Sequence, residues 1–336
     1  MHRPDSRGSV TRVIAAAGLV ALAVACSGRA KPTAYSIGVI PKGTTHEFWK
    51  AIHAGAVKAE RELNAAGTSV TIMWKGPLRE DDREQQVQVV EGFVSQNISG
   101  IVIAPLDEAA LVRPVEEAKR AGIPAIVIDS ALDSKEIVSF VATDNTKGGE
   151  LAADRMAELL NGKGKVLLLR YQEGSASTTA RETGFLAELK TKAPGIEVIS
   201  SDQYAGPTRD TAKRASENLL NRYANELQGI FCVNESSTHG MLLALQDIGK
   251  AGKVAFVGFD ASQTFIDALD NGQMHGLVVQ NPLNMGYLGV TKMVEHLQGK
   301  KVEPRIDTGV WMITKDNLAA PQTAELLHPP VEKYLN

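Results

Sequence analysis

The sequence lacks the features that mark several protein classes. It has 2 Cys among 336 residues, too few for a disulfide-stapled scaffold, and its 36 Lys and Arg against 39 Asp and Glu leave no basic excess for nucleic acid. It contains no Walker A loop, HExxH, G-x-S-x-G or strand-following G-x-G-x-x-G motif, and its 7 His lack metal-ligand spacing. We therefore expect no enzyme activity, no cofactor, no metal and no nucleic-acid partner.

What the sequence does contain is typical of a globular protein. Hydrophobic residues make up 43% and charged residues 22% of the chain. The length predicts two domains, each large enough to bury a core. Cys232 lies in the apolar run 230–233, so we expect a buried small side chain outside any disulfide.

The amino terminus has the pattern of an export signal. Three Arg within the first twelve residues precede the uncharged run 13–25, which is too short to span a bilayer comfortably. The stretch 22–26 resembles a bacterial lipobox, which implies cleavage before Cys26 and acylation of that cysteine, for example with palmitate. The alternative is an ordinary signal peptide followed by an incidental cysteine. We expect a signal peptide over 1–25, then a lipidated Cys26 and tether over 26–34, which place the protein in the periplasm or cell envelope.

From Tyr35 onward, short β-branched runs alternate with segments of helical period. The alternation begins with a strand over 35–40 and a helix over 47–65, and it restarts after a strand over 137–141. This pattern predicts an α/β protein with two successive doubly wound units, each a parallel sheet with helices on both faces. A helix predicted over 285–298 has no strand of its own in the second unit and could return to the first.

Polar side chains follow many of the predicted strands. Ligands of open parallel sheets bind beyond the carboxyl ends of the strands. Carboxylate, amine and amide groups together supply the acceptors and donors that a neutral polyol needs. Because Asp at a strand end is also a common cap or turn residue, we favour that role for Asp107. The residues at these strand ends are Lys42, Asp107, Asp129, Ser130, Asn234, Asp260 and Gln280.

Two predicted helix starts carry further candidate ligand residues. The spacing Thr44-x-x-Glu47 fits a capping box and places Phe48 and Trp49 in the first turn of a helix. These two rings are offset by about 100°, so we do not expect both to face the core. An exposed ring there could stack on the C–H face of a sugar, and the neighbouring His46 is a candidate donor to the same ligand.

The second start is Thr179-x-x-Glu182, which places Arg181 in the first turn of its helix. The helix dipole disfavours a cation at that end, so another group should hold the guanidinium. A ligand acceptor, or Asp129 or Asp260 across a cleft, would serve.

At these residues the sequence resembles the periplasmic sugar-binding proteins of the ribose-binding type, the substrate receptors of bacterial ABC importers. The resemblance covers essentially residues 35–314. The motifs that carry it are His46–Trp49, Gly122–Pro124 leading to Asp129, Ala142–Asn145, Arg181–Phe185, Asn234–Glu235 and Val257–Asp260.

The resemblance implies the type I periplasmic binding protein fold, in which two similar lobes close on one ligand by hinge bending. It places three crossovers near 140–143, 279–281 and 305–308. The implied lobes are 35–141 plus 281–307, and 142–280 plus 308–336. The ligand positions it implies are Phe48, Trp49 and Tyr204 as the aromatic sandwich, Asp129 and Asp260 as carboxylates, Arg181 as a donor, and Asn234 and Gln280 as amides.

Some residues depart from the ribose pattern. Lys42 and His46 stand where ribose binders have small or amide side chains, and Ser130 stands where they have Arg, so we do not expect ribose itself. The expected function is capture of a monosaccharide or related polyol, by a monomer, for delivery to the transmembrane subunits of an ABC permease. A chemoreceptor is a further candidate partner, and the lipid anchor is the expected contact with the membrane.

Three other functions are compatible with parts of this pattern. The main alternative is a receptor for autoinducer-2 or a chemotactic sugar, because Lys42 and its Gly-Thr-Thr loop are similar to the autoinducer-2 receptors of this fold. A regulator of the lac-repressor type needs a DNA-binding helix-turn-helix where this chain has an export signal. A glycosidase using Asp129 and Asp260 is a minor alternative.

Overall fold

The computed structural model describes residues 34–336. The predicted signal peptide and Cys26 lie outside the described residues. Within them, no helix combines the length and apolar character needed to cross a bilayer.

Strands and helices alternate along the described chain. The strands are β1 Ala34–Ile40, β2 Ser69–Trp74, β3 Gly100–Ile103, β4 Ala125–Ile128, β5 Ser139–Ala142, β6 Lys163–Leu169, β7 Gly195–Ser200, β8 Gly229–Cys232, β9 Ala255–Phe259, β10 Gly276–Val279, β11 Arg305–Asp307 and β12 Trp311–Ile313. The helices are α1 Glu47–Ala65, α2 Arg83–Ser95, α3 Val112–Arg120, α4 Asn145–Leu159, α5 Ala176–Lys192, α6 Arg209–Tyr223, α7 Glu235–Asp247, α8 Gln263–Asp270, α9 Pro282–Leu297, α10 Ala324–Leu327 and α11 Val331–Leu335.

The strands form two six-stranded sheets with the same winding. The first has the order β11-β5-β4-β3-β1-β2 and the second the order β12-β10-β9-β8-β6-β7. Neighbouring strands are parallel except β12, which pairs antiparallel with β10. The prediction of two doubly wound α/β lobes is confirmed.

Helices cover both faces of each sheet. In β4, Ile126 and Ile128 pack on the side of α1 and α9, whereas Ala125 and Val127 pack on the side of α2 and α3. This division explains why the strands appear in the sequence as continuous apolar runs rather than as alternating ones. In the second lobe, Cys232 is fully buried in β8, as expected for a small core residue.

The chain passes between the two sheets three times. It leaves the first lobe between β5 and α4, returns between β10 and α9, and crosses again between β11 and β12. Helix α9 packs against α1 and the strands of the first sheet, with Met293 and Val294 in that lobe's core. The predicted helix over 285–298 therefore does return to the first lobe. The short strands β11 and β12 were not predicted, because each spans three residues and is half exposed.

Both predicted capping boxes are wrong. Helix α1 starts at Glu47 as predicted, but its N-cap is His46, and no side chain caps it. Helix α5 starts at Ala176 after Ser175, so Arg181 lies in its second turn rather than its first. The helical conformation continues upstream of Thr179, where the hydroxyl of Thr178 donates to the carbonyl of Ser175. The dipole argument for Arg181 therefore does not apply.

Each lobe contains one pair of helices whose backbones touch at reciprocal glycines. A Cβ on Gly55 of α1 would collide with the carbonyl of Leu283 in α9, and a Cβ on Gly286 of α9 would collide with the carbonyl of Ile52 in α1. In the second lobe, Gly149 of α4 and Gly184 of α5 meet the facing backbone in the same way. These contacts fix α1 and α5, the helices that follow the first strand of each sheet.

We predict that Gly55→Ala destabilises the protein by about 1–3 kcal/mol, because the added methyl must push two helix backbones apart. Gly92→Ala is the matched control, since a Cβ on Gly92 in α2 has no atom within 4 Å. That change should be neutral or stabilising by about 0.5–1 kcal/mol, through helix propensity alone. Urea denaturation of the two variants checks this, and equal stabilities would contradict the assigned contact.

Candidate functional site

A small polar cavity lies between the two lobes, at the carboxyl ends of the central strands of both sheets. Both lobes contribute to its wall, and most of its side chains are buried. The first lobe contributes Lys42, His46, Phe48, Trp49, Glu80 and Asp129, and the second contributes Tyr171, Ser177, Thr178, Arg181, Asn234, Glu235, Asp260 and Gln280.

Two aspartates occupy equivalent places in the two lobes. Asp129 directly follows β4, the fourth strand of its lobe, and Asp260 directly follows β9, the fourth strand of the other. Both have left-handed backbone conformations, with φ of 61° and 70°, which are uncommon outside glycine. Their amides donate to the carbonyls of Val141 (3.1 Å) and Val278 (2.8 Å) on the neighbouring strand. The same turn thus presents one carboxylate from each lobe to the cavity.

Lys42 connects the lobes on one side of the cavity. Its ammonium lies 3.1 Å from Oδ2 of Asp129 in its own lobe. It also donates to the hydroxyls of Ser177 (3.1 Å) and Ser175 (3.4 Å) at the start of α5 in the second lobe. Ser130 lies behind this contact, where its hydroxyl accepts from the amide of Ser177 at 3.1 Å. The predicted Ser130 is therefore a buried interlobe contact outside the cavity wall.

Glu80 is the centre of a second interlobe network. Its carboxylate contacts Nδ1 of His46 at 2.6 Å and accepts from Nε1 of Trp49 at 2.7 Å. From the second lobe, the hydroxyl of Tyr171 donates to Oε2, and the side-chain amide of Gln172 donates to the Glu80 carbonyl at 2.8 Å. One buried carboxylate thus joins the start of α1, the loop before α2 and the end of β6.

The His46–Glu80 pair is strongly charged despite its burial. Burial alone would lower the pKa of His46, but the Glu80 carboxylate outweighs this effect and raises the pKa to about 9. Burial likewise opposes ionisation of Glu80, yet the His46 charge and the bonds from His46, Trp49 and Tyr171 lower its pKa to about 2. At neutral pH the pair is an ion pair.

Phe48 and Trp49 both line the cavity, but their roles differ. Trp49 is buried in the first-lobe core, with its indole N–H held by Glu80. Phe48 is half-buried and meets the Trp49 ring edge-on, with centroids 5.0 Å apart. Trp49 is thus the ring within the core, whereas Phe48 is only partly buried and packs against that core from the cavity side.

Arg181 crosses the floor of the cavity in the second lobe. It is 2% exposed, donates to the Asn145 side chain (2.9 Å) and the Val233 carbonyl (2.8 Å), and lies over the Phe259 ring. Burial lowers the pKa of its guanidinium, while Asp260 and Asp129 favour the charged form. Protein acceptors therefore hold Arg181 in place, with no ion pair to either aspartate at contact distance in the described part of the chain.

Asp260 is a cavity carboxyl whose ionisation is opposed by burial. Burial raises its pKa to about 6, although Arg181 and a bond from Gln280 at 2.7 Å favour ionisation. The Gln280 side chain donates that bond through Nε2, and its single oxygen, Oε1, is buried and accepts no hydrogen bond from residues 34–336. An unpaired buried acceptor of this kind suits a ligand hydroxyl.

The amide side chain of Asn234 lines the cavity while capping α7. Its Oδ1 accepts from the amide and hydroxyl of Ser237, and its Nδ2 donates to Ser236. The adjacent Glu235 accepts from the Phe48 amide of the first lobe at 3.2 Å and pairs with Arg209. Asn234 therefore has little free hydrogen-bonding capacity in this conformation.

Tyr204 is not brought into the cavity. Its side chain is 37% exposed on the second lobe, beneath the guanidinium of Arg170 at 4.8 Å, and it lines a separate surface groove with Arg222 and Tyr223. The physical reason is that the chain after β7 pairs with Arg170 along the sheet edge before it reaches α6. Asp107 likewise lies outside the cavity, where it caps the amides of Ala109 and Ala110.

Five cavity residues were missed in the sequence, namely Glu80, Tyr171, Ser177, Thr178 and Glu235. Ser177 and Thr178 lie in the first turn of α5, whose start was predicted too far along the chain. Tyr171 follows β6 by two positions, so the strand-end rule would have found it if applied to that strand. Glu80 lies six residues past β2 in an irregular loop, and Glu235 is the first residue of α7, next to the predicted Asn234. No local pattern distinguishes either glutamate from a solvent-exposed one.

Comparison with known proteins identifies related chains. A family model for the periplasmic binding protein domain matches residues 37–301. The D-allose-binding periplasmic protein of Escherichia coli is 32% identical over 274 residues, 79% of this chain and 86% of that protein. The xylitol-binding protein of Mycolicibacterium smegmatis is 26% identical over 309 residues, 91% of this chain and 85% of that protein. A carbohydrate-transporter solute-binding protein from Agrobacterium radiobacter, solved with D-arabinose, is 34% identical with a TM-score of 0.83, covering 88% of this chain and 99% of that one.

We predict that the pKa of the His46 imidazole is near 9 in the unsubstituted protein. In Glu80→Gln this pKa should fall below its usual value of 6.5, because burial lowers it and the Glu80 carboxylate no longer raises it. The raised pKa of His46 and the lowered pKa of Glu80 mean that this pair's contribution to stability is complete between about pH 4.5 and 6.5. It is lost as the pH rises through about 9 and as the pH falls through about 2. NMR titration of the histidine side chains measures both values.

His53 is the internal control for this titration. Burial lowers the pKa of His53, and no carboxylate opposes that shift, so its titration should be the same in both proteins. A His46 that titrates near 6.5 in the unsubstituted protein would disprove the ion pair.

Proposed function

The chain belongs to the periplasmic binding protein family, and from that premise we propose that it is an extracytoplasmic solute-binding protein for a monosaccharide or related polyol. It delivers this ligand to an ABC-type import permease. Like its relatives, it is a binding protein and not an enzyme. The observation that carries the proposal is a cavity between two lobes whose buried charges are compensated within the protein.

The electrostatics of the cavity favour a neutral ligand. Asp129 faces Lys42, Glu80 faces His46, and Glu235 is paired with Arg209. Asp260 is balanced at longer range by Arg181. A charged ligand would leave one charge buried without a partner, which costs several kcal/mol. A polyhydroxyl compound donates to the carboxylates and accepts from the cations without changing the balance.

We assign roles in the cavity by this chemistry. Asp129 and Asp260 accept from ligand hydroxyls, while Lys42 and Arg181 donate to ligand oxygens. Phe48 and the edge of Trp49 contact the apolar face of the ring. Asn234, Gln280 and His46 complete the polar wall, and the unpaired oxygen of Gln280 accepts one further hydroxyl.

Binding is coupled to closure of the lobes. The bonds from Lys42 to Ser177, from the Phe48 amide to Glu235 and from Tyr171 to Glu80 all join the first lobe to the second. A ligand that touches both walls adds to these contacts in the closed form alone, so it shifts the equilibrium toward closure by its differential affinity. The permease then receives the closed, loaded protein.

The named ligands of the relatives support a small, neutral ligand. The relatives described above are named for an aldohexose and a pentitol, and the solved neighbour contains an aldopentose. All three ligands are neutral and no larger than one sugar ring. The relatives do not favour the autoinducer-2 receptor, so its signal molecule serves as a comparison ligand in the test below.

We propose the lobe boundaries given above, 35–141 plus 281–307 and 142–280 plus 308–336.

We predict that a thermal-shift screen of residues 27–336 against pentoses, hexoses, deoxysugars, polyols and autoinducer-2 yields a sugar or polyol hit. Ligand at 100 times its Kd adds about 2.7 kcal/mol to stability, a shift of several degrees. Asp129→Ala should weaken binding of that ligand by roughly 2–4 kcal/mol, because it removes a charged acceptor and leaves buried donors unpaired.

Tyr204→Ala is the matched control, since Tyr204 lies outside the cavity and should leave the Kd unchanged. Equal affinity in Asp129→Ala and the unsubstituted protein would refute the site. A shift with autoinducer-2 alone would refute the sugar assignment.

We further propose that the protein is exported and lipid-anchored through Cys26. The lipobox-like sequence supports this, and it predicts a mature chain that begins at an acylated Cys26. Labelled palmitate should enter the unsubstituted protein but not Cys26→Ser, and intact mass should show the acyl chains. Cys232→Ser is the control that must remain labelled, because that thiol is buried in β8. An unacylated mature Cys26 would exclude the anchor.

A further inference from the structure

Residues 324–336, here called the strap, contact both lobes. Leu326 and Leu327 of α10 are buried in the core of the second lobe. The following helix, α11, lies against α1 of the first lobe. There the two terminal nitrogens of Arg61 donate to the carbonyls of Lys333 (2.9 Å) and Tyr334 (3.0 Å), and the guanidinium lies over the Tyr334 ring. The strap is thus a connection between the lobes in addition to the three crossings.

The two ends of the strap differ in how firmly they are held. Helix α10 inserts two leucines into a core, whereas α11 has no buried residue and is held mainly by hydrogen bonds from the exposed Arg61. Three residues, His328 to Pro330, join them. Three residues span at most about 10 Å, and the two prolines restrict the backbone further. The lobes therefore cannot separate far at this flank while both ends stay docked.

The strap also borders the cavity. Together with the start of α1 and the loop after β9, it frames a groove lined by Phe48, Asp260 and Gln280. These three residues line the ligand cavity as well. Pro329 and Val331 of the strap lie on the opposite wall of the groove. The strap therefore flanks one route between the cavity and solvent.

We propose that the strap is a releasable latch, in which α11 docks on α1 when the lobes close and leaves it when they open. Because α10 is anchored in the second core, α11 is the end that detaches. The docked strap stabilises the closed conformation and slows ligand exit past Phe48 and Asp260. This inference rests on the lobe closure of the proposed function, but it does not depend on which ligand binds.

The test uses the ligand-free protein first. One variant ends after His328, which removes α11 and keeps both core leucines, and a second is Arg61→Ala, which removes the latch bonds alone. Lys58→Ala is the control, because Lys58 is also a cation on α1 but contacts Tyr287 of its own lobe. Small-angle X-ray scattering and hydrogen exchange are measured on each, with circular dichroism and thermal melting to verify folding.

The truncated chain should show a larger radius of gyration and faster exchange in the first turn of α1 and around Ala261, with Arg61→Ala between it and the unsubstituted protein. Lys58→Ala should match the unsubstituted protein. With the sugar identified by the screen, the truncated chain should release ligand roughly five- to tenfold faster, as expected for loss of hydrogen bonds made in the closed form.

Scattering and exchange unchanged in the truncated and Arg61→Ala proteins would overturn the latch, whether or not a sugar binds. A more compact truncated protein would also overturn it, because the strap would then oppose closure. An opened truncated protein in a chain that binds no sugar would refute the proposed function and leave the latch standing.

Discussion

Burial of charge between two lobes is the constraint on which this structure depends. Glu80 shows it most clearly, because its carboxylate is 5% exposed and would be costly there without the imidazolium of His46 and the donors of Trp49 and Tyr171. Tyr171 belongs to the other lobe, so full satisfaction of this carboxylate by protein groups requires closure. The buried ammonium of Lys42 is likewise paired with Asp129 in its own lobe and donates to Ser177 in the other lobe. The polar groups that we propose to bind the ligand are therefore also groups that hold the two lobes together.

The two lobes position these groups in the same way. A helix that arrives from a crossing packs, glycine against backbone, on the helix that follows the first strand: α9 on α1 in one lobe and α4 on α5 in the other. Helix α1 begins at Glu47, directly after His46, and carries Phe48, while α5 carries Ser177 and Arg181. Close backbone contact, which in the second lobe falls on Arg181 itself, thus sets the position of the helices whose N-terminal turns line the cavity.

The fold was predictable from the sequence because its strands are short, buried on both faces and separated by strongly periodic helices. The aspartates after β4 and β9 were found because the carboxyl edge of a parallel sheet collects polar residues by geometry alone. The start of α5 was harder to predict from the sequence, because its N-cap Ser175 makes no side-chain hydrogen bond to the helix. Tyr204 was misplaced for a similar reason, as its position depends on an edge contact with Arg170 rather than on local pattern. Glu80 was missed because its partners are remote in sequence, Tyr171 by ninety-one residues.

The burial of Cys232 in β8 has a practical consequence. It is the free cysteine of the described residues, it is fully shielded, and burial raises the pKa of its thiol. A thiol reagent would therefore modify a cysteine introduced at an exposed position beside the cavity far faster than it would modify Cys232. Residues 34–336 thus form a scaffold that can carry a single fluorescent reporter of lobe movement, a reagentless optical sensor for the captured solute, without removal of a native cysteine from the core.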